Sequence, residues 1–427
     1  MSEKAPPDKL VIKDLYKIFG PDPDGAMKLL KQGLSKDEIF AQTRATVGVQ
    51  GANFSIREGE VFVVMGLSGS GKSTLVRMLN RLIEPTRGHI FLDGEDITQM
   101  SRKQLIEMRR RQMSMVFQSF ALMPHQTVLE NAAFGLEVSG HPREERDRRA
   151  LKALEQVGLK ANANSYPSEL SGGMKQRVGL ARALTVDPEI LLMDEAFSAL
   201  DPLIRTQMQD ELLALQEKMH KTVVFITHDL DEALKIGDRI VIMGPGGGIR
   251  QIGTPEEILT EPADDYVAAF VENVDRTKVI TASSIMKKAD PVVTPKDGPS
   301  VAVRRMEKLG LSTVFVTDHN RVLRGIVNID DAVKARKDKT LEGILREDEI
   351  YTVWPDTPLS DLMGQAMASR YPMAVVDHDG RLLGLLDRAT ILAEVGVESD
   401  QVQTLVELQQ SQDDESESGE TPTQEQE

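Results

Sequence analysis

The chain has 427 residues, of which 40% are hydrophobic, so it is long enough for two or three domains with sizeable cores. It contains no cysteine, which excludes disulfides and thiolate metal sites, and its net charge of −16 disfavours nucleic acid as a partner. No apolar run approaches the roughly 18 residues of a membrane helix, and the polar start lacks the apolar segment of a secretory signal. We therefore expect a cytosolic protein that reaches any membrane through a partner.

The first predicted element is a strand over residues 9–20, KLVIKDLYKIFG, in which apolar and polar residues alternate up to Gly20. Residues 21–47 are predicted to form an insertion, because PDPDG breaks the strand. Within it, SKDE, from Ser35 to Glu38, predicts a capping box that opens a short helix. We expect this insertion to be a structural prop.

A glycine-rich run, GLSGSGKST over residues 66–74, follows an apolar strand and precedes a helical stretch. This is the context of a P-loop, in which glycines let backbone N–H groups wrap phosphates and the helix N-terminus adds its dipole. We expect Lys72 to contact the β- and γ-phosphates and the Ser73 hydroxyl to ligate Mg²⁺. The predicted ATP-binding residues of this run are Gly66, Ser68, Gly69, Ser70, Gly71, Lys72, Ser73 and Thr74.

Polar residues follow several other apolar runs, which are typical of buried parallel strands alternating with helices in an α/β domain. Asp194 and Glu195 end ILLMDE, where the first suits Mg²⁺ and the second suits a general base. Gln118 ends MVFQ and His228 ends VFITH. Because ligands bind at the carboxyl ends of such strands, we expect all four residues near the P-loop. Residues from about 104 to 179 are predicted to form a helical lobe.

A second predicted anion site lies in LSGGMKQR, where Ser171, Gly172 and Gly173 open a helix. One nucleotide-binding domain does not need two phosphate cradles, so this turn requires a separate explanation.

The C-terminal part contains an internal repeat in which FVTDHNRVLRGIVNIDDAV aligns with AVVDHDGRLLGLLDRATIL. Aligned residues differ by 59 positions, as Asp318 and Asp377 do, and each copy is predicted to be strand, turn, strand and helix. From residue 411 onward there are seven acids and no Lys or Arg, which predicts a disordered tail.

The order and spacing of the P-loop, Gln118, LSGGMKQR, LLMDEA, SALD and His228 resemble the nucleotide-binding subunit of an ABC transporter. The resemblance implies an α/β P-loop NTPase fold, with an ABC-type nucleotide-binding domain and helical subdomain, followed by an α+β tandem CBS module and a disordered acidic tail. The implied boundaries are residues 1–276 for the ATPase, 277–338 and 339–398 for the CBS repeats, and 399–427 for the tail.

The same resemblance explains the second cradle. In this family two subunits pair head to tail, so that Ser171, Gly172 and Gly173 of one copy serve the γ-phosphate bound by the other. It further implies that Asp201 of SALD connects the two sites across the interface. Gln118 would sense Mg²⁺ and water and link to the membrane partner, and His228 would contact the γ-phosphate and hold the attacking water with Glu195.

Adenine is usually stacked on an aromatic residue near the end of the first strand, and Phe19 is our candidate, with Tyr16 second. The cofactors implied are ATP and Mg²⁺. The insertion at 21–47 distinguishes the chain from the shortest family members.

Within the family, the chain most resembles ATPases of glycine betaine/proline importers, on the insertion, on RLIEPTRG, FQSFALMPH and MDEAFSALDPLIR, and on the C-terminal repeat. This implies a homodimer on the cytoplasmic face of the inner or plasma membrane, docked on separate permease subunits that work with a substrate-binding protein or domain. A methionine or other osmolyte importer remains an alternative. A soluble ABC ATPase would need a coiled-coil insertion or second cassette, plus basic surfaces, which the sequence lacks.

The tandem repeat resembles a CBS pair, a module that often binds adenine nucleotides. Asp331 of GIVNIDD stands where such modules hold a ribose, whereas the second copy has Thr390 at that place. A cyclic dinucleotide at the pseudo-dyad is therefore an alternative ligand to a mononucleotide.

Charge is uneven along the module. Residues 281–340 hold 12 Lys and Arg against 7 Asp and Glu, a net charge of +5, and residues 341–398 hold 4 against 11, a net charge of −7. The run KARKDK forms the densest basic cluster, which is either a solvated helix face or a surface that binds anionic lipid at low ionic strength. We call it the basic patch and define it by Lys334, Arg336, Lys337 and Lys339.

Overall fold

The computed structural model describes residues 6–272, 274–290, 292–347 and 349–394. The chain divides into two compact units, with the boundary between Val274 and Asp275. The predicted acidic tail at 399–427 lies outside the described residues, as do the last residues of the predicted second CBS repeat.

The first unit is built from strands that alternate with helices. Its strands are β1 Asp8–Phe19, β2 Thr46–Arg57, β3 Val61–Gly66, β4 Arg87–Leu92, β5 Glu95–Asp96, β6 Met113–Phe117, β7 Ile190–Asp194, β8 Thr222–Thr227, β9 Arg239–Met243 and β10 Ile249–Gly253. Its α-helices are α1 Pro23–Lys31, α2 Lys36–Thr43, α3 Lys72–Leu79, α4 Arg102–Arg111, α5 Val128–Val138, α6 Arg143–Gln156, α7 Gly172–Thr185, α8 Pro202–Met219, α9 Leu230–Ile236, α10 Pro255–Thr260 and α11 Asp265–Val271.

The central sheet of this unit has six strands in the order β10-β9-β3-β8-β7-β6. Strands β9, β3, β8, β7 and β6 run parallel, and β10 is antiparallel to β9. Every residue of β3, β7 and β8 is buried, so the prediction of buried parallel strands is confirmed. Because these strands are parallel, the residues that follow them lie along one edge.

A second sheet, in the order β2-β1-β4-β5, is antiparallel and shares a hydrophobic core with the central sheet. Phe54 of β2 stacks on Phe62 of β3, with ring centroids 5.2 Å apart, so an aromatic pair joins the two layers. The predicted first strand is confirmed as β1, which ends at Phe19.

The insertion after β1 forms the helices α1 and α2, and it has a small core of its own with the end of β1 and the start of β2. The predicted capping box is confirmed, because Ser35 accepts from the Glu38 N–H while the Glu38 side chain accepts from the Ser35 N–H. The buried residues of this core are Ile18, Ala26, Met27, Ile39, Ala45 and Val47.

Within the predicted helical lobe at 104–179, helices α5, α6 and α7 pack on one another. The segment also contains β6, because MSMVF pairs with β7 at the edge of the central sheet. Asn131 of α5 is fully buried, and it accepts from the Met123 N–H at 2.8 Å, which attaches the lobe to the segment after β6.

The second unit has two halves of similar construction. Its strands are β11 Lys287–Lys288, β12 Val292–Val293, β13 Thr313–Thr317, β14 Leu323–Asn328, β15 Thr352–Val353, β16 Met373–Val376 and β17 Leu382–Leu386. Its α-helices are α12 Ala282–Ile285, α13 Pro299–Leu309, α14 Ile329–Lys334, α15 Leu359–Ala368 and α16 Arg388–Glu394. The predicted repeat of strand, turn, strand and helix is confirmed as β13-β14-α14 and β16-β17-α16.

Each half begins with a leading segment, residues 282–288 in the first half and 341–346 in the second, and each leading segment packs on the other half. Strand β11 pairs with β17, and Ala282 packs in the core of the second half. Conversely, Leu341 packs in the core of the first half, and Arg346 bridges to Ile326 of β14. The two halves are therefore interlocked, because each completes its core with a segment that belongs to the other in sequence.

We expect Lys9→Met to lower the free energy of unfolding by about 2 kcal/mol near neutral pH, because it removes charged hydrogen bonds. The Lys9 side chain is buried, and its ammonium donates to Asp93 at 2.8 Å and to Glu189. Burial lowers the pKa of Lys9, but these bonds raise it more, to above the ordinary 10.5. The stabilisation is therefore complete below that pH and is lost as the pH rises through the folded-state pKa.

Urea unfolding at neutral and alkaline pH measures this effect. Lys13→Met is the matched control, because Lys13 is exposed on the same strand, and we expect it to change stability by less than about 0.5 kcal/mol. Equal losses for the two variants would contradict the role given to Lys9.

Candidate functional site

The P-loop connects β3 to α3 in a backbone shape that only glycine fits. Gly66 has φ +149° and Gly71 has φ +96°, and an added Cβ would lie 2.4 Å from the Met243 carbonyl oxygen or 2.1 Å from that of Gly48. No side chain caps the N-terminus of α3 at Gly71, so the first turn presents its N–H groups to a ligand.

Lys72 lies across this loop. The residue is 5% exposed, and its Nζ donates to the Gly66 carbonyl at 2.9 Å and to the Leu67 carbonyl at 3.1 Å. Burial lowers the pKa of Lys72, while the nearby carboxylates of Glu195 and Asp194 oppose that shift. An incoming anionic phosphate therefore finds an ammonium group that is already held in place.

Asp194, at the end of β7, contacts the first turns of α3. Its Oδ1 accepts from Ser73 Oγ at 3.0 Å, and its Oδ2 accepts from Arg77 at 3.0 Å. Asp194 is 4% exposed, so this carboxylate is buried but paired. The predicted metal-binding pair of Ser73 and Asp194 is thus brought together by two elements far apart in sequence.

Glu195 lies between Gln118 and His228. Gln118 Nε2 donates to Glu195 Oε2 at 3.2 Å and to Ser198 Oγ at 3.2 Å, and His228 Nδ1 lies 3.7 Å from the same Glu195 oxygen. Glu195 has φ +47°, a left-handed conformation that costs energy in a residue other than glycine. The strands β6, β7 and β8 therefore deliver one polar residue each to a common cluster.

Phe19, the adenine-stacking candidate, is 41% exposed at the end of β1. Lys17 Nζ lies 4.9 Å from the ring centroid, and the ring edge packs against Gly48, whose carbonyl oxygen is the close neighbour of Gly71. Phe19 thus lies beside the P-loop with a ring that a ligand can reach. Tyr16, in contrast, packs against the core of the insertion.

The second cradle lies at the N-terminus of α7. Ser171 Oγ accepts from the Met174 N–H at 3.3 Å, and Ser171 and Gly172 are exposed. A Cβ on Gly173 would lie 2.6 Å from Ile204, so α7 approaches the start of α8, whose N-cap is Asp201. Among the described residues, no hydrogen bond or ion pair connects this surface to the P-loop of the same chain.

The two candidate regulatory features, Asp331 and the basic patch, lie on the first half of the second unit. Asp331 accepts two hydrogen bonds from Arg346, at 2.9 and 2.7 Å. The corresponding Thr390 donates through its hydroxyl to Asp387 at 2.8 Å. All four members of the basic patch are exposed, and Arg336 makes an ion pair at 3.5 Å with Glu307.

Sequence reasoning missed two residues that complete the site, Arg77 and Ser198. Arg77 follows Ser73 by one helical turn, so the spacing places both on one face of α3, and the structure shows that this face meets Asp194. Ser198 also donates to the Glu195 carbonyl at 2.9 Å; it lies in the turn after β7 and begins the SALD motif, which is the signal that could have identified it.

Together, a glycine-only phosphate loop, a buried lysine and a strand-end pair of carboxylates define a P-loop nucleotide hydrolase. Comparison with known proteins agrees: residues 49–198 match the family described as "ABC transporter", and residues 282–338 and 342–396 match the "CBS domain". The chain belongs to the ABC transporter family, as an ATP-binding subunit that carries two CBS domains.

Two curated relatives cover nearly the whole chain. The "Glycine betaine/carnitine transport ATP-binding protein GbuA" of Listeria monocytogenes is 53% identical over 90% of this chain and 97% of its own length. The "Glycine betaine/proline betaine transport system ATP-binding protein ProV" of Escherichia coli K12 is 51% identical over 90% and 96%. Among solved structures, cbiO1 from Clostridium perfringens, part of the ABC transporter complex cbiONQ, is 26% identical over 60% of this chain and 92% of its own, with a TM-score of 0.50.

We expect Gly71→Ala to destabilise the protein without nucleotide more than Gly69→Ala does. Both glycines have positive φ, so each alanine costs about 1–2 kcal/mol of backbone strain. Only at Gly71 does the new Cβ also collide with backbone, because nothing lies within 4 Å at Gly69. Urea unfolding of the two variants measures the difference, and equal losses would contradict the close approach to Gly48.

Proposed function

We propose that the chain is the ATP-hydrolysing subunit of an importer for glycine betaine/proline-type quaternary amines. In this proposal it works on the cytoplasmic face of the cell's inner or plasma membrane, bound to separate permease subunits served by a substrate-binding protein or domain. The names of GbuA and ProV as glycine betaine transport proteins support the solute class, because each relative aligns with 90% of this chain. No helix among the described residues is long and apolar enough to span a membrane.

The observation that carries the hydrolytic function is the cluster around Glu195. Its carboxylate, held by Gln118 and facing His228, is the group placed to accept a proton from an attacking water. His228 orients that water and contacts the γ-phosphate, while Lys72 and the P-loop N–H groups hold the phosphates. Glu195 holds these contacts with a left-handed backbone at φ +47°, a strained conformation of the kind that clusters at functional sites.

The groups that could offer oxygen ligands to Mg²⁺ are the Ser73 hydroxyl, the Asp194 carboxylate and the side-chain amide oxygen of Gln118. Ser73 Oγ and Asp194 Oδ1 are 3.0 Å apart, close enough to be ligands of one ion. Mg²⁺ usually keeps waters and substrate phosphates as ligands, so a few protein oxygens are enough to hold it. When bound, Mg²⁺ neutralises charge that develops on the phosphates.

The active unit of this proposal is a head-to-tail homodimer. The N-terminus of α7, with Ser171 and Gly172, is exposed, and within the described part of the chain it makes no hydrogen bond to the P-loop; Asp201 lies beside it. A second copy brings these groups to the γ-phosphate from the opposite side, so ATP joins the two subunits and hydrolysis releases them.

We expect Glu195→Gln to trap an ATP-bound dimer with turnover nearly abolished, because the amide cannot accept the proton. The decisive assay reconstitutes the chain with its co-purifying permease in liposomes and measures ATP-driven uptake of glycine betaine, proline and methionine. We expect the parent chain to drive uptake of glycine betaine, and we expect Glu195→Gln to abolish that uptake.

Three outcomes would contradict parts of this proposal. Uptake of methionine alone would overturn the solute class, and hydrolysis at full rate by a strictly monomeric preparation would overturn the shared site. Ser171→Arg tests the second cradle by itself, because the arginine fills the N-terminus of α7, and unimpaired uptake would exclude that surface.

Regulation by ionic strength is the role we propose for the second unit. The basic patch is exposed and cationic, so it can bind anionic lipid headgroups at low salt and release them as salt screens the attraction, with a Debye length falling from about 10 Å at 0.1 M to about 3 Å at 1 M. Adenine mono- or dinucleotides are the alternative ligand of the module. A nucleotide ribose at Asp331 would have to displace Arg346.

We expect replacement of all four patch residues by Gln to make transport constitutive at low salt in liposomes that contain anionic lipid. Lys288→Gln combined with Arg370→Gln is the control, since both cations are exposed outside the patch. An unchanged salt threshold in the patch variant rejects lipid docking, and a threshold that shifts only on adding nucleotide favours the alternative.

A further inference from the structure

Arg205 contacts the segment that follows β7 and the segment that follows β8. It lies in the first turns of α8, four residues after Asp201, and its guanidinium is partly buried. Nη1 donates to Asp229 Oδ2 at 3.2 Å, and Nη2 donates to the carbonyl of Leu200 at 3.4 Å. One side chain therefore joins the residue before Asp201 to the residue after His228.

Asp229 is in turn held at several points. Its N–H donates to Thr227 Oγ1 at 3.0 Å, at the end of β8, and its Oδ1 accepts from the Glu232 N–H at 3.2 Å, which caps α9. With Arg205 on the other carboxylate oxygen, both oxygens are used. The backbone of His228, between Thr227 and Asp229, has little freedom left.

We infer that Arg205 is a positioning residue that transmits the placement of Asp201 to the imidazole of His228. Asp201 is exposed at the surface that a second copy covers, whereas His228 lies 3.7 Å from Glu195 in the same chain. A shift of the Asp201 segment moves the Leu200 carbonyl, and Arg205 carries that shift to Asp229. The inference rests on the roles proposed for Asp201 and His228, and it adds the connection between them.

The geometry requires an arginine in particular. Two different nitrogens of the planar guanidinium reach two acceptors on separate segments, whereas a lysine ammonium is a single point charge on a flexible stem. Leu200 is only 6% exposed, so it lies in a largely buried part of this segment.

A second ion pair between the same helices provides a matched control. Lys235 of α9 lies 2.7 Å from Asp210 of α8, and among the described residues no side-chain hydrogen bond or ion pair connects either of them to Leu200 or Asp229. Asp210→Asn therefore weakens the attachment of α8 to α9 without touching the connection through Arg205.

The experiment is a double-mutant cycle on the full chain reconstituted with its permease, with kcat and KM for ATP measured. We expect Arg205→Met to lower kcat about 10- to 100-fold with KM little changed, because the phosphate contacts of the P-loop remain and only the orientation of His228 is lost. Arg205→Lys should be intermediate, and Asp210→Asn should stay within about twofold of the parent.

Coupling to His228 distinguishes positioning from a structural role. In a His228→Ala background, Arg205→Met should lower kcat no further, since the residue through which it acts is gone. Multiplicative losses in the double variant, or an unchanged kcat in Arg205→Met, would overturn this inference but not the proposed function. If His228→Ala itself leaves kcat unchanged, the role proposed for His228 fails, and the inference fails with it.

Discussion

The parallel pairing of four neighbouring strands is the constraint on which the site depends. Strands β3, β8, β7 and β6 run in one direction, so the P-loop, His228, the Asp194–Glu195 pair and Gln118 all emerge at one edge. These residues meet there although they are spread over positions 66 to 228 and no local pattern connects them. The reversal of a single strand would send its polar residue to the opposite edge and dismantle the cluster.

The two buried charged groups at this edge both have polar partners. Lys72 donates to backbone carbonyls, and Asp194 accepts from Ser73 and Arg77, so neither group is left without hydrogen bonds in the protein interior. Glu195, in contrast, is held by an amide and faces an imidazole, with its backbone in a strained conformation. The contrast separates a residue suited to hold a cation from one suited to accept a proton.

The second unit uses its exchanged segments to place two equivalent ion pairs. Arg346 contacts Asp331 at 2.7 Å, and Lys287, which stands 59 positions earlier in the repeat, contacts Asp387 at 2.6 Å. In each case the cation comes from a leading segment that packs on the other half. The acidic residue does not occupy the same repeat position in the two copies. Asp387 is the N-cap of its helix, whereas Asp331 lies one helical turn after the N-cap Asn328. The two halves are therefore similar in fold but different in the groups they offer to a ligand.

Much of this protein followed from its sequence alone: the buried strands, the glycine-rich loop, the capping box of the insertion and the repeat with its offset of 59. These features are local, since periodicity, glycine spacing and capping act over a few residues. The tertiary structure alone decided which charges meet, such as Arg77 with Asp194 across 117 positions or Arg205 with Asp229 across 24, and which leading segment completes which core. Such contacts depend on how strands and helices pack in three dimensions, and no short-range pattern encodes the partner.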